Sequence, residues 1–352
     1  MNRKATKLED RQRTVVEVGP IRFGHDPFPV VAGPCAVESE TQINEAAEAV
    51  VENGGSLLRA GAFKSSSSPY GFRGLGQEGV DLLTAAGARA GLPTVTQVLE
   101  AEEVARVAEA VDVIEVGSGS MQDFELLRVI GKAGKPVMLR RGASATLDEW
   151  LWAAEYLLAE GNENVILVER GIRTFGAGQG DMLDIAAVPS LKELTHLPVL
   201  VDPSHASGGA GRVGPLALAA QGVGADGLIL EVHPQPSLAR SEGPLQLDIP
   251  GFAALMSSLG VHRLRQRVDL IDRQIVRLLS RRQELAMEIG QVKWDRGLPV
   301  HIPDREVELL EIIKQEAEHA GLESGHVQSV FEIVLRESRR LQYLMRGDEE
   351  GS

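Results

Sequence analysis

The chain has 352 residues, of which 43% are hydrophobic and 24% charged, a composition typical of a globular protein with one or two domains. Its net charge of -14 argues against a nucleic-acid-binding surface, and its first 18 residues contain no apolar stretch typical of a signal peptide or membrane span. A single cysteine, Cys35, excludes an internal disulfide and suits a reducing compartment. We therefore expect a cytoplasmic protein that binds neither nucleic acid nor membrane.

Residues 1–27 have the composition of a polar N-terminal tail, and eight short apolar runs follow. These runs are 28–32, 56–58, 93–98, 113–116, 136–139, 165–168, 198–201 and 227–230, and segments with helical spacing separate them. Strands that are apolar on both faces and alternate with helices predict a parallel sheet. We expect residues 28–259 to form a (β/α)8 TIM barrel, with an open doubly wound sheet as the alternative.

Polar or charged side chains follow nearly every apolar run, where each predicted strand ends. They are Cys35, Arg59, Gln97, Glu115, Arg140, Glu169, Asp202 and Glu231. In a barrel these strand ends converge at one mouth, whereas an open sheet would spread them along a line. This pattern favours the barrel and predicts a functional site at its mouth.

After Gly251 the pattern changes to long helices. A short helix at 252–259 is predicted to close the barrel, with a break at Gly260, and apolar spacing then predicts a helix of about nine turns over 261–294. A second helix starts at Pro303 and stops near Gly321, a third covers 324–345, and 347–352 form a tail. Three helices this unequal seldom bury a core alone, so we expect the helical domain, 260–346, to dimerise.

Four residues that converge at the predicted mouth have the chemistry of metal ligands. Cys35, His205, Glu231 and Glu242 offer a thiol, an imidazole and two carboxylates. This mixed set suits a divalent transition metal such as manganese, iron, cobalt or zinc. The alternative is a buried cysteine and a hydrogen-bonded histidine with no metal.

Six cations at or just past the strand ends favour an anionic substrate that carries phosphate or carboxylate groups. They are Arg59, Lys64, Arg140, Arg141, Arg170 and Arg173. A solvated rim of basic residues is the alternative for any one of them.

Several motifs resemble one enzyme family. They are GPCAVES (33–39), LRAGAFK (58–64), SPYGFRGLG (68–76), ERGIRTF (169–175), VDPSHA (201–206) and EVHP (231–234). Over residues 28–250 the chain resembles the type I 3-deoxy-D-arabino-heptulosonate 7-phosphate (DAHP) synthases of the short, mainly bacterial subgroup. The resemblance implies a metal-dependent condensation of phosphoenolpyruvate with erythrose 4-phosphate, the first step of the shikimate pathway.

By this resemblance, Cys35, His205 and Glu231 match metal ligands, and Glu242 stands in place of a ligating aspartate. Residues that match the phosphoenolpyruvate site are Arg59, Lys64, Arg173 and Arg140, the last in place of a lysine. At four positions where the family commonly has arginine, this chain has another residue: Ser66, Gly119, Gly180 and Gly209. These departures imply either a different acceptor or a barrel that has lost the synthase chemistry.

The helical segment resembles the all-helical chorismate mutases over residues 261–346. Residues that match their substrate site are Arg265, Arg282, Lys293, Arg305, Glu306, Ser338 and Gln342, whereas Ile302 departs from a common aspartate. The implied reaction rearranges chorismate to prephenate without a cofactor. It needs cations for two carboxylates, Arg282 and Arg265 here, and donors at the breaking ether bond, Lys293 and Gln342 here.

The spacing of the basic residues indicates a shared site. Arg265 lies about 42 Å from Lys293 along one helix, at a rise of about 1.5 Å per residue. Because one chain cannot bring both to one ligand, a working mutase implies at least a dimer. Three hypotheses stay open: an enzyme with both activities, a mutase with a structural or regulatory barrel, and a barrel that uses a different acceptor in a specialised pathway.

Overall fold

A computed structural model describes residues 3–6, 13–25, 28–65, 68–175 and 181–346, and the side chains of 261–267, 269, 270, 273 and 346 lie outside that description. Two compact units divide the chain between His262 and Arg263. The domain bounds 28–259 and 260–346 stay a prediction, and the predicted tail 347–352 lies outside the described residues. Among those residues, no helix combines the length and the apolar character needed to cross a membrane.

The strands of the described residues form a hairpin and a barrel. They are β1 (Val16–Val18), β2 (Ile21–Phe23), β3 (Val30–Gly33), β4 (Leu57–Arg59), β5 (Thr94–Gln97), β6 (Val113–Val116), β7 (Val137–Arg140), β8 (Val165–Glu169), β9 (Val199–Val201) and β10 (Leu228–Glu231). The strands β3 to β10 are all parallel, and Leu228 of β10 pairs with Val30 of β3 to close the sheet. The predicted TIM barrel is therefore confirmed, and the open sheet is excluded.

Helices cover the outside of the barrel and make up the second unit. They are α1 (Glu40–Glu52), α2 (Gln77–Ala90), α3 (Ala101–Ala110), α4 (Phe124–Lys132), α5 (Leu147–Ala159), α6 (Ala187–Leu194), α7 (Pro203–Ala206), α8 (Val213–Gly222), α9 (Ile249–Asp295), α10 (Pro303–His319) and α11 (Ser324–Arg346). Local sequence sets several starts; for example, Thr146 and Glu149 cap α5 reciprocally. The predicted helices from Pro303 and from 324 are α10 and α11.

The first 27 residues hold more than the polar tail expected from their composition. Strands β1 and β2 form an antiparallel hairpin in which Val16 pairs with Phe23. The side chains of Val16, Val18 and Phe23 are buried in one cluster with alternate residues of the barrel strands, including Val31 and Met138. The hairpin is therefore part of the core that fills the barrel interior.

The predicted break at Gly260 is wrong, because α9 runs from Ile249 to Asp295 without interruption. Gly260 is exposed, and a Cβ atom there would meet no other atom within 4 Å. Glycine disfavours a helix by only about 1 kcal/mol relative to alanine. That penalty is too small to end a helix that has apolar helix-forming residues on both sides.

Candidate active sites

The barrel strands deliver charged side chains to one mouth. Arg59, Arg140 and Glu231 are the last residues of β4, β7 and β10, Glu115 lies in β6, and Asp202 follows β9. All five are buried, with exposed fractions of 3% or less. Burying so many charges is tolerable only when each has partners, because an isolated buried charge is very costly.

These charges form a closed ring of alternating sign, which we call the mouth ring: Glu231, Arg59, Glu115, Arg140, Asp202 and His205. Arg59 contacts Glu231 Oε1 through Nη1 at 2.9 Å and Glu115 Oε1 through Nη2 at 2.8 Å. Arg140 contacts Glu115 Oε2 through Nη2 at 3.2 Å and forms an ion pair with Asp202. His205 closes the ring, with Nδ1 2.7 Å from Asp202 Oδ2 and Nε2 3.6 Å from Glu231 Oε1. Each acid of the ring thus separates two bases.

The neighbours of Glu115 and His205 in the ring shift the pKa of each. Burial by itself would raise the pKa of Glu115, but the neighbouring Arg140 and Arg59 lower that pKa to about 2. Burial would lower the pKa of His205, whereas Asp202 and Glu231 raise the pKa to about 9. Glu115 is therefore a carboxylate across the physiological range, and the region around His205 strongly favours positive charge.

Three of the four predicted metal ligands meet at one side of the ring. The donor atoms of Cys35, Glu231 and Glu242 all lie within 4.8 Å of one another. The fourth, His205, has its Nε2 atom 3.6 Å from Glu231 and 3.2 Å from Glu242. Glu231 Oε2 is buried with no hydrogen-bond partner. A divalent cation fits this donor set, because it would satisfy that oxygen and offset the local negative charge.

Neighbouring residues hold these donors in place. His205 donates its Nδ1–H to Asp202, both as a neutral and as a protonated imidazole, and this leaves Nε2 directed at Glu231 and Glu242. Gln246 accepts from the backbone N–H of Cys35 at 2.9 Å and donates to the Ser241 carbonyl at 2.8 Å. Glu242 has φ of 51°, the left-handed region that non-glycine residues rarely occupy. This backbone strain brings its carboxylate within 2.9 Å of Cys35 Sγ.

Lys64 lies beside the same donors. Its Nζ atom is 3.0 Å from Cys35 Sγ and 3.9 Å from Glu242 Oε2. Burial would lower the pKa of Lys64, but Cys35 and the nearby glutamates raise it, so the side chain stays an ammonium. Gly61 makes the approach possible, because a Cβ atom there would lie 2.7 Å from the Lys64 side chain. A cation is thus held within reach of any ligand bound at this point.

The other cations predicted from sequence lie in different surroundings. Arg141 is paired with Glu169 at 2.7 Å and Asp184 at 2.9 Å, and Arg170 is paired with Asp181. Arg173, in the loop after β8, is exposed and is not part of the mouth ring. The structure therefore brings Arg59, Lys64 and Arg140 together at the mouth, while Arg141 and Arg170 are held by carboxylates beside it.

Two of the four positions that lack the expected arginine lie in open space. Gly119, in the turn after β6, and Gly209, before α8, would have no atom within 4 Å of an added Cβ. Gly209 also has φ of 155°, which disfavours a side chain. Ser66 and Gly180 lie outside the described residues.

In the second unit, helices α9 and α11 bring predicted mutase residues together. Arg282 Nη1 donates to Ser338 Oγ at 2.7 Å, and Gln342 Nε2 donates to the Ala286 carbonyl at 2.6 Å. A Cβ atom on Gly290 would lie 2.8 Å from Gln342, so this glycine permits the close approach. Arg282 and Ser338 also line a cavity of about 230 Å³.

The other predicted mutase residues with described side chains have partners of their own. Lys293 Nζ donates to the Val300 carbonyl at 2.7 Å, and Glu306 pairs with Arg339, the residue next to Ser338. Arg305 is exposed and pairs with Glu308 on its own helix. Arg265 lies in α9, but its side chain is outside the described residues.

The sequence analysis gave no site role to Glu115, Asp202, Ser241 or Arg339. Glu115 and Asp202 were visible as polar residues at strand ends, but nothing in the sequence says which charges pair. Ser241, 3.1 Å from Cys35 Sγ, lies in an irregular loop with no periodic signal. The sequence does not distinguish Arg339 from the neighbouring Arg340. In the structure Arg339 pairs with Glu306, whereas Arg340 pairs with Glu337.

Family models match both parts of the chain. The DAHP synthetase I family matches residues 6–264, and chorismate mutase type II matches residues 264–343. The phospho-2-dehydro-3-deoxyheptonate aldolase of Thermotoga maritima is 43% identical over 246 residues, which cover 70% of this chain and 73% of that protein. A 2-dehydro-3-deoxyphosphooctonate aldolase of Nitrobacter hamburgensis is 33% identical over 264 residues. The aligned region covers 70% of this chain and 91% of that protein.

Solved structures agree with the sequence comparisons. The crystal structure of the Thermotoga maritima DAHP synthase superposes with a TM-score of 0.72 at 40% identity and covers 76% of this chain and 77% of that one. A truncated form of the enzyme gives a TM-score of 0.69 at 38% identity, with 75% of this chain and 96% of that chain covered. The chain therefore belongs to the DAHP synthetase I family and carries a type II chorismate mutase domain fused behind its barrel.

Proposed function

We propose that the chain has two activities, and that the barrel condenses phosphoenolpyruvate with an aldose phosphate such as erythrose 4-phosphate. The convergence of Cys35, His205, Glu231 and Glu242 at the mouth supports this more than any other observation. These four residues would hold a divalent metal. Manganese, iron, cobalt and zinc all accept such mixed sulfur, nitrogen and oxygen donors. When bound, the metal would polarise the acceptor carbonyl as a Lewis acid.

The chain's own residues would bind and orient the donor substrate. Arg59, Lys64 and Arg140 present cations at the mouth, and Arg173 lies in the adjoining loop. Lys64 is suited to act at the reacting carbons, because its ammonium stays protonated and already contacts a predicted metal ligand. Arg59 and Arg140 are oriented by the buried carboxylates of the mouth ring, which lowers the cost of fixing them for a ligand.

Manganese-loaded protein given phosphoenolpyruvate and erythrose 4-phosphate tests the barrel activity. We expect both substrates to be consumed with release of inorganic phosphate, and we expect a chelator to stop the reaction. No consumption at high enzyme concentration with any of the four metals would reject the synthase activity.

We propose that the helical unit converts chorismate to prephenate. Arg282 would bind a substrate carboxylate with Ser338 beside it, and Gln342 and Lys293 would donate to the ether oxygen as its bond breaks. Glu306, in α10, is held beside α11 by its ion pair with Arg339, the residue after Ser338. Arg265 would come from a second copy of the chain, so this site is proposed to form in a dimer.

Arg282→Ala tests the mutase site. Loss of a charge-assisted contact to a substrate carboxylate, about 1.5–3 kcal/mol, should lower kcat/KM for chorismate by about 10- to 150-fold. The control is Arg281→Ala, because Arg281 is exposed and pairs only with Glu284 on its own helix. Unchanged turnover in Arg282→Ala would remove this residue from the site.

The open space at Gly119 and Gly209 favours a second candidate for the barrel. A charge-assisted contact to phosphate contributes about 1.5–3 kcal/mol, and neither position offers a side chain that makes one. An acceptor without a phosphate group would need no cation there. Turnover of erythrose in preference to erythrose 4-phosphate would support this candidate.

A further inference from the structure

Glu115 is the one member of the mouth ring that contacts two arginines. Both of its oxygens contact Arg59, at 2.8 and 3.2 Å, and both contact Arg140, at 3.1 and 3.2 Å. It is fully buried, and its side chain has an exposed fraction of 0%. Its negative charge is therefore little screened by water.

Both arginines already have carboxylate neighbours before any ligand binds, although Arg140 Nε contacts Glu115 without making a hydrogen bond. Every guanidinium nitrogen of Arg59 and Arg140 lies within 3.2 Å of a carboxylate oxygen from Glu115, Glu231 or Asp202. Lys64, in turn, faces Cys35 and Glu242. Beside the ring, Arg141 and Arg170 are paired with acids of their own. Among the described residues of the mouth, each of these bases thus contacts at least one acid, although Glu242, Asp181 and Asp184 are only partly buried.

We propose that Glu115 determines specificity by limiting how much negative charge a ligand of the barrel mouth carries. It acts through Arg59 and Arg140, and so it is a positioning residue that touches no substrate. With Glu115 ionised, a ligand held by these arginines competes with a fixed carboxylate. A ligand with one carboxylate meets little of this repulsion, whereas a phosphate group adds further charge and meets more. This inference rests on the proposed donor site.

The test compares two ligands that differ in the phosphate group. Phosphoenolpyruvate and pyruvate are titrated by calorimetry into the manganese-loaded full chain, and the ratio of their dissociation constants is measured. In Glu115→Gln we expect this ratio to shift towards phosphoenolpyruvate by more than about tenfold, because one unit of buried negative charge within several ångströms has been removed. Glu115→Asp keeps the charge and should retain the wild-type preference.

If Glu115→Gln does not fold, a second pair of variants tests the charge limit itself without changing Glu115. Gly119→Lys adds a cation in open space four residues after Glu115, and Gly222→Lys adds one in open space at the end of α8. The C-terminus of α8 leads into the start of β10, so Gly222 lies at the opposite end of the barrel from the mouth. We expect Gly119→Lys to shift the ratio towards phosphoenolpyruvate and Gly222→Lys to leave it unchanged.

Each other outcome overturns the proposal. An unchanged ratio in Glu115→Gln, or an equal loss of affinity for both ligands, means that Glu115 has a structural role only, while the proposed donor site stands. An unchanged ratio in Gly119→Lys means that charge does not limit binding. Failure of both ligands to bind wild type and every variant, while manganese still binds, removes the donor site together with this inference.

Discussion

At the scale of single residues, Asp202 connects the barrel's charges to its predicted metal site. It pairs with Arg140, accepts from the backbone N–H of His205 at the start of α7, and contacts His205 Nδ1. The last contact decides which ring nitrogen of the histidine faces Glu231 and Glu242. A carboxylate in this place also makes a ligating imidazole more basic.

We expect Asp202→Asn to weaken manganese binding by about 10–100-fold, the usual effect of removing a carboxylate that supports a ligating histidine. Asparagine still caps the helix, so the local fold should persist. The measurement is competition with a chelator of known affinity. Asp184→Asn is the control, because Asp184 pairs with Arg141 and contacts none of the four predicted ligands. Equal affinity in wild type and Asp202→Asn would contradict His205 as a ligand.

The lowered pKa of Glu115 predicts a dependence of stability on pH. Its pKa is about 2 in the folded barrel and near 4.5 in an unfolded chain, so the folded state holds the ionised form more strongly. The resulting stabilisation is present above pH 4.5 and is lost as the pH falls towards 2. We expect the urea-measured free energy of unfolding to fall less steeply with decreasing pH in Glu115→Gln than in wild type. Parallel curves would contradict this ionisation.

At the scale of elements, the hairpin of β1 and β2 supplies large side chains to the barrel interior. We expect Phe23→Ala to destabilise the barrel by about 3–5 kcal/mol, because it removes a fully buried aromatic ring and leaves a cavity. Arg22→Ala, at the exposed neighbouring position, should cost less than about 1 kcal/mol, since its ion pair with Glu17 is at the surface. Urea unfolding measures both, and a small effect of Phe23→Ala would mean that the hairpin is dispensable.

How much the sequence predicts differs between these elements. The barrel strands were predictable within one or two residues, because a strand buried on both faces is a continuous apolar run. The hairpin was not, since Val16–Val18 alternates apolar and charged residues over only three positions. The strand-end residues of the site were predictable in identity. Their pairing was not, because most contacts of the ring join side chains that are far apart in sequence, such as Arg59 with Glu231 and Arg140 with Asp202.

At the scale of the whole molecule, an apolar stripe on α9 is exposed in the part of the chain that the structure describes. Val268, Ile271, Ile275 and Leu278 recur at helical spacing, and their exposed fractions range from 49% to 70%. Burying one such side chain contributes about 1.5–3 kcal/mol. Helix α9 is also unbroken between Arg265 and Lys293, so both cannot reach one small ligand from the same chain. We therefore expect a second copy of this chain both to cover the stripe and to complete the proposed mutase site.

We expect the full chain to be at least a dimer in light scattering, and Ile275→Lys to dissociate it, because a lysine cannot be buried in an apolar contact without a partner charge. Chorismate turnover should fall together with dimerisation, since Arg265 would be separated from the site it completes. Gln274→Lys is the matched control, as it places the same side chain on the same helix one residue away, about 100° around its axis. A monomeric Ile275→Lys that keeps wild-type turnover would show that one chain forms the whole mutase site, and the proposed role of Arg265 would then be wrong.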